Sequence, residues 1–598
     1  MSKQAVHKFI LILKKWQLPL EKFVFPVVLL LWPLAAAGQG ICLSDPAYSL
    51  ANYAYLTPEY PWFFATYLAN GLGRLLLRVS GGGLVYMNVL TGLVVSLAAL
   101  ACYFILQRMI PGWMVFIGEM LAISLCWCPT VILYNYLSYF LLTLGCLFLF
   151  LAVSGRRSDL YYILAGLCLG ANVTVRIANA VQVLLILAVW FYYAVRTSGK
   201  AAGAENRKAC LRATGLCILG YAAGFFIPVL CSMVFHGAGA YFAAIPGILS
   251  MTSGSAGYGM GAMIKDILSA YVSAGKWFVL MLCGTFAGMI FFRLPAVRRF
   301  RVPALVLYLM GIAVMIRFFY GRGMFTVNYQ DYWCMFSWGM QFLLLSWLAA
   351  LPGLLGARLC AEERFLCALS LLLMLILPLG SNNYTFPVLN CLFVTAPVTL
   401  WLLRRYTVML LARERTASGQ AGACLACAVM TTAILAMVFV QGALFHMNFA
   451  FRDGTDGTRR SAVITTNARM AGMHTTPENA AIINALLDTV TQNTEKGSTA
   501  ICFGNLPGVH YFAQIPPALE TAWPDLDSYP VDWMESRLQS ISEGTRPLPL
   551  VIISTGETGY ANDAKKRELL SDFMAAHHYE TIYEGQGLLI RRAPSFHR

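Results

Sequence analysis

Charge is scarce in this chain: Asp, Glu, Lys and Arg make up 12% of its 598 residues, while hydrophobic residues make up 59%. A soluble protein of this size carries about twice that share of charge on its water-facing surface, so a soluble globular fold is excluded. Nucleotide-binding signatures are missing as well. No GxGxxG or GxxxxGK[ST] follows a strand, and no Ser-His-Asp or HExxH arrangement stands out. The basic excess forms no face with interleaved aromatics, so nucleic acid is not an expected partner. Most of the 17 cysteines lie inside apolar runs, where Cys acts as a small hydrophobe. Residues 447–598 hold only Cys502, which leaves them without a disulfide framework. Metal binding is not expected.

What the chain has instead is apolar runs of about twenty residues, the length that crosses the roughly 30 Å core of a bilayer. LVYMNVLTGLVVSLAALACYFIL from Leu84 and VILYNYLSYFLLTLGCLFLFLAV from Val131 are the plainest. The pattern predicts about 13 transmembrane helices, near 20–38, 84–106, 112–128, 131–153, 159–175, 178–195, 211–235, 271–292, 302–320, 332–351, 365–380, 386–403 and 421–446. The fold class is therefore a polytopic α-helical membrane protein, with residues 1–446 as the membrane domain and 38–83 as its first outer loop.

Charge distribution orients the bundle. Residues 1–446 hold 30 Lys/Arg against 11 Asp/Glu, whereas 447–598 hold 13 against 17. With the N-terminus placed in the cytoplasm, 23 of those 30 basic residues fall on the inner side, as the positive-inside rule requires. A plasma-membrane protein with an extracytoplasmic C-terminal domain is the expectation. Segment 61–79 is apolar on one face and carries Arg74 and Arg78. It reads either as an interfacial helix whose arginines reach lipid headgroups or as a helix packed on the bundle.

Residues 447–598 alternate strand and helix. TPENAAIINALLDTVTQN offers Thr476 as a cap and Pro477 at the first helical position. STAICFGN, LPLVIIST and ETIYEG read as strands, and ANDAKKRELLSDFMAAH as a helix between two of them. A small open α/β sheet is predicted.

The sparse outer charges are the candidate chemistry. Asp45, in the Tyr- and Pro-rich first loop, could take a proton from a hydroxyl nucleophile, or it could simply cap a turn. Arg176 sits at a junction of two spans, where an arginine suits a phosphate or diphosphate, bound in bidentate fashion, or ordinary headgroups. Arg317, Arg322 and Asp331 share one short loop with Tyr320, Tyr329 and Trp333. That combination suits phosphate and sugar together, or an interfacial aromatic belt. Asn382 and Asn383 offer amides to sugar hydroxyls or make a turn. Glu119, an intramembrane acid, lies apart from these.

The order of these features resembles the GT-C superfamily of membrane glycosyltransferases, which includes the protein O-mannosyltransferases, the lipid A aminoarabinose transferase and a related bacterial family. One span precedes an outer loop with D-x-A-Y-x-x-A, here Asp45, Ala47, Tyr48 and Ala51. Amphipathic helices, a multi-span bundle and a soluble domain follow. The resemblance implies that Asp45 is the base activating the acceptor and that Arg176, Arg317 and Arg322 bind the phosphate of a polyprenyl-phosphate-sugar donor. Tyr48, Glu59, Tyr329, Asp331, Asn382 and Asn383 would then face sugar or acceptor, which is a lipid, glycan or protein, with membrane lipids around. No cofactor is implied. Many relatives have Asp-Glu where this chain has Asp45-Pro46, which leaves the role to one carboxylate. A transporter of lipid-linked glycans and a non-catalytic membrane scaffold stay open as other readings.

Overall fold

The computed structural model describes residues 17–594, apart from 156–157, 197–199, 254–258, 326, 328, 330–332, 357, 381–382, 417–421 and 455–456. Asp331 and Asn382 lie outside the described residues.

The chain is a multi-span helical membrane protein with a small sheet-containing C-terminal domain. Among the described residues, 10 helices are long and apolar enough to cross a membrane, from Gln17–Leu34 to Cys424–Asn448. Every predicted span holds a helix. Gly112–Leu125 and Ala361–Ile376 are shorter than the others, and Thr395–Thr416 carries charge toward its end. Helix Ala238–Ser253 was not read from the sequence, and neither were Gly508–Phe512 and Val531–Glu543 in the C-terminal domain. Ala244 and Met251 of Ala238–Ser253 pack into one apolar core with Tyr529 and Met534 of the C-terminal domain. The face of Arg301–Gly321 bearing Leu307, Met310 and Val314 is exposed, as a lipid-facing surface is.

Glycines set the closest helix pair. On Ser158–Val175, a Cβ at Gly166 or Gly170 would lie 2.1 Å or 2.0 Å from a carbonyl oxygen of Cys217 or Tyr221. On Lys200–His236, Gly220 and Gly224 answer at the same four-residue spacing, against Ile163 and Leu167 carbonyls at 2.1 and 2.2 Å. Small residues at this spacing let membrane helices meet backbone to backbone. A CxxC does occur, Cys424-Leu-Ala-Cys427, inside the apolar helix Gly422–Asn448. Its thiols turn to the Thr407 carbonyl and the Met289 sulfur.

The C-terminal domain carries β1 (Ala462–Val463) paired with β2 (His474–Thr475), and a four-stranded sheet. That sheet comprises β3 (Ala500–Phe503), β4 (Leu550–Ser554), β5 (Glu580–Gly585) and β6 (Leu588–Arg592), in the order β3-β4-β6-β5. β3 and β4 are parallel and the other pairs antiparallel. Strand β6 was missed because Gln586-Gly587, at φ 53° and 75°, turns the chain in two residues, the tight hairpin geometry. Thr476 caps Pro477–Gln492 as expected, its hydroxyl accepting the Asn479 N–H at 3.3 Å.

The first loop is built into this domain. Gly40 N–H donates to His474 O (2.8 Å), His474 N–H to Gly38 O (2.7 Å), and Gly508 N–H to Leu43 O (2.7 Å). Ile41, Ala47 and Leu50 share one buried cluster with Ile464, Met470, Ile483 and Tyr511. Gly40 is required at this seam: its φ is +86° and a Cβ would sit 2.3 Å from that of Ala450.

Candidate active site between the first loop and the C-terminal domain

Asp45 is the first residue of helix Asp45–Tyr55, with Pro46 behind it. Ser44 holds the cap position, and its side chain makes no cap bond there. Burial pushes its carboxyl above the usual carboxylate range. The Arg452 guanidinium, its own backbone N–H and the Ser44 hydroxyl pull the other way.

The C-terminal domain closes around it. The Tyr48 ring meets Trp523 edge-on at 5.3 Å, and Trp523 meets Tyr560 at 6.4 Å. Burial raises the Tyr560 phenol, and the charges of Asp45 and Asp525 add to that effect. The turn carrying Trp523 is held from beneath. Lys566 Nζ donates to the carbonyls of Pro524 (2.8 Å), Asp525 (3.2 Å) and Leu526 (2.7 Å). Desolvation brings its pKa down to about 8. The Asp525 carboxylate accepts the N–H groups of Gly504 (2.8 Å) and Asn505 (2.5 Å).

Arg176 follows helix Ser158–Val175 in extended backbone. Its guanidinium lies 6.0 Å from the Tyr134 ring centre, and among the described residues it has no ion-pair partner. It lines a recess of about 650 Å³, partly open to solvent, with Asn135, Asn179, Gln182, Asn383 and Asn390. A lone cation among amides is a receptor for an anion carrying hydroxyl groups. The amides are fixed in place: Asn179 Nδ2 donates to Ser138 Oγ (2.7 Å), Gln182 Nε2 to Asn179 Oδ1 (3.1 Å), and Asn172 Nδ2 to Gln182 Oε1 (2.8 Å).

Trp127 joins the two halves. It lines the Arg176 recess, and its ring stacks on Phe449 (6.3 Å) and Phe451 (6.1 Å), both tilted by 28°. Those phenylalanines line a second recess with Cys42, Pro46, Asn88 and Thr130, against the residues flanking Asp45. Asp45 itself lines neither recess; Cys42 and Pro46, on either side of it in the chain, line the second.

The structure thus brings Asp45 together with Tyr48, and Arg176 together with Asn383. Glu59 is exposed on the turn before helix Trp62–Ala65. Arg317 and Arg322 are exposed at the end of Arg301–Gly321, over the rings of Tyr320 (5.5 Å) and Phe318 (5.3 Å), and line neither recess. The Tyr329 carbonyl accepts the Ala450 N–H at 3.1 Å, at the seam. Arg74 turns inward, donating to the Leu56 carbonyl and lying over Phe63, while Arg78 is exposed. Sequence reasoning missed Arg452, Trp523 and Tyr560, which reach Asp45 only through the fold. It also missed Asn172, Asn179 and Gln182, whose polarity inside an apolar run was a legible signal.

No family model matches the chain, and no curated protein sequence matches it. Solved structures of membrane glycosyltransferases are similar to it over nearly its whole length. ArnT from Cupriavidus metallidurans bound to undecaprenyl phosphate has 10% identity and a TM-score of 0.49, covering 96% of this chain and 99% of its own. The Archaeoglobus fulgidus oligosaccharyltransferase tethered to an acceptor peptide has 13% identity and a TM-score of 0.47, covering 98% and 74%. The same archaeal enzyme with an inhibitory peptide and a dolichol-phosphate has 13% identity and a TM-score of 0.44, covering 98% and 75%. With these TM-scores below 0.5, the functional reading stands on the site's own geometry.

Proposed function

We propose that this protein is a membrane glycosyltransferase that moves a sugar from a polyprenyl-phosphate-linked donor to an acceptor hydroxyl at the outer membrane face. The observation that supports this is Arg176, without an ion-pair partner among the described residues, in an amide-lined recess, together with Asp45, whose carboxyl is desolvated beside the C-terminal domain. Asp45 takes the acceptor's proton as its oxygen attacks the anomeric carbon. The bond from that carbon to the phosphate oxygen breaks, and the polyprenyl phosphate leaves with both electrons. Arg176 offsets the charge that develops on the leaving phosphate. A single displacement inverts the anomeric centre. The donor's hydrocarbon tail stays in the bilayer, and the acceptor, a lipid, glycan or protein, enters on the C-terminal-domain side. The positive-inside distribution supports a cytoplasmic N-terminus and an extracytoplasmic C-terminal domain.

The test is transfer of radiolabelled sugar from a panel of polyprenyl-phosphate donors by purified wild type and Asp45→Asn. Donor-dependent transfer that vanishes in the variant supports the enzyme and its base. Donor binding with no transfer from any donor would turn the reading toward a transporter, and neither binding nor transfer toward a scaffold.

A further inference from the structure

The segment leaving the last membrane helix runs Phe449-Ala450-Phe451-Arg452-Asp453. Asp453 is fully buried, and both of its oxygens are engaged. Oδ1 accepts the Ile41 N–H at 3.2 Å, Asn479 Nδ2 at 2.8 Å and the Thr475 hydroxyl, while Oδ2 accepts Arg460 Nε at 2.7 Å. Next to this anchor, Arg452 is held at φ +47°, in the left-handed region that is costly for a residue with a Cβ. Strain of this kind collects where a side chain must be aimed. The Arg452 guanidinium lies over the Phe451 ring at 5.0 Å and has no ion-pair partner among the described residues. Arg452 is exposed to solvent, and the Phe451 ring beneath its guanidinium lines the recess shared by Cys42 and Pro46, on either side of Asp45; its charge there favours the ionised carboxyl.

We propose that Arg452 is a positioning residue of the active site, a cation that the C-terminal domain presents to Asp45 so that its carboxylate stays charged. This rests on the reading of Asp45 as the base. A base must be ionised, and burial works against that at Asp45. The titratable groups facing it are Cys42 on its own loop, Tyr560 from the C-terminal domain, and Arg452. Burial pushes the Cys42 thiol up to about 12 and raises the Tyr560 phenol, so both are neutral near pH 7. Of these groups, Arg452 alone brings a positive charge.

The experiment uses the full-length protein in nanodiscs, with Arg452→Gln, Arg452→Lys, Arg452→Gly and Asp45→Asn. The rate kcat/KM is followed from pH 5 to 9 with the polyprenyl-phosphate-sugar that wild type uses, and Tm is measured alongside. Without the cation, the acid limb moves to higher pH, so Arg452→Gln loses up to about tenfold on the acid side of the profile and recovers as the pH rises. Arg452→Lys keeps the wild-type profile. Arg452→Gly shows the same acid loss while its Tm rises, because glycine tolerates the backbone geometry. A pH-independent loss, an unshifted profile, or a fall in Tm for Arg452→Gly would overturn the proposal. Activity surviving in Asp45→Asn would instead remove the underlying reading of Asp45.

Discussion

The Ile41 N–H donates to Asp453 Oδ1 across a sequence separation of 412 residues. That bond ties the loop after the first span to the chain leaving the last one. The residues on either side of it, Asp45 and Arg452, are brought into one electrostatic environment as a result. The clamp can be tested directly. Asp453→Ala leaves the partly buried Arg460 without its ion-pair partner and the Ile41 N–H and Thr475 hydroxyl without this acceptor, a change that costs about 3–5 kcal/mol. Thermal unfolding in detergent should show the drop. Asp453→Asn, which keeps an acceptor, should fall less.

Asp45→Asn should behave in the opposite way. Burial holds the folded-state pKa of Asp45 above its unfolded value, so its ionisation disfavours folding once the pH exceeds the ordinary carboxylate range. The amide removes that charge, and Tm at pH 7 should stay level or rise. Sugar transfer should fall by about 10²–10⁴-fold, the usual contribution of a positioned base. A variant that is both inactive and unfolded would break this prediction.

The same shift sets a pH dependence. The proton-accepting form is lost as pH falls through the raised pKa, so wild-type kcat/KM should decline on acidification at a pH above the usual carboxylate range. A profile flat down to pH 4 would be inconsistent with Asp45 as the base.

Arg176→Gln should weaken binding of undecaprenyl phosphate by about 10–100-fold, the worth of one or two charge-assisted hydrogen bonds. Arg176→Lys should keep part of it, since an ammonium supplies the charge without the planar fork. Scintillation binding with the radiolabelled lipid would show the ranking. Equal losses in both variants would point to the guanidinium's stacking on Tyr134 instead.

Two glycines of similar sequence context should respond differently. Gly170→Val places side-chain atoms against the Tyr221 carbonyl, which already lies 2.0 Å from an ideal Cβ, and should cost about 3 kcal/mol or more. Gly215, on the opposing helix, has nothing within 4 Å. Gly215→Ala should stabilise by about 0.5–1 kcal/mol through backbone entropy. Folded yield on size-exclusion chromatography separates the two.

The membrane spans were legible because hydrocarbon imposes a length and an apolarity that few other environments demand. Helix Ala238–Ser253 was not, because its Tyr241 and exposed Phe242 suit a loop as well as a helix until Tyr529 and Met534 are there to pack against. Asp45 was legible through a short motif and through the rarity of acids in its loop. Arg452 was not. It sits just past the last span, where an arginine is unremarkable, and its role comes from an anchor whose donors, Ile41 and Asn479, lie at opposite ends of the chain. Arg317 and Arg322 were singled out by their neighbours in sequence, but helix Arg301–Gly321 faces outward at that end.

The shared core of the first loop and the C-terminal domain also sets an order of manufacture. Ile41, Ala47 and Leu50 leave the ribosome early, and their partners Ile464, Ile483 and Tyr511 emerge more than 400 residues later. At about 5–20 residues per second, that wait is on the order of tens of seconds. Throughout it the loop bearing Asp45 can pack only on its membrane-helix side, against Leu84, Met87, Val131 and Leu133. A nascent or truncated chain therefore lacks the far wall of the pocket around Asp45, which closes only once the C-terminal domain has emerged.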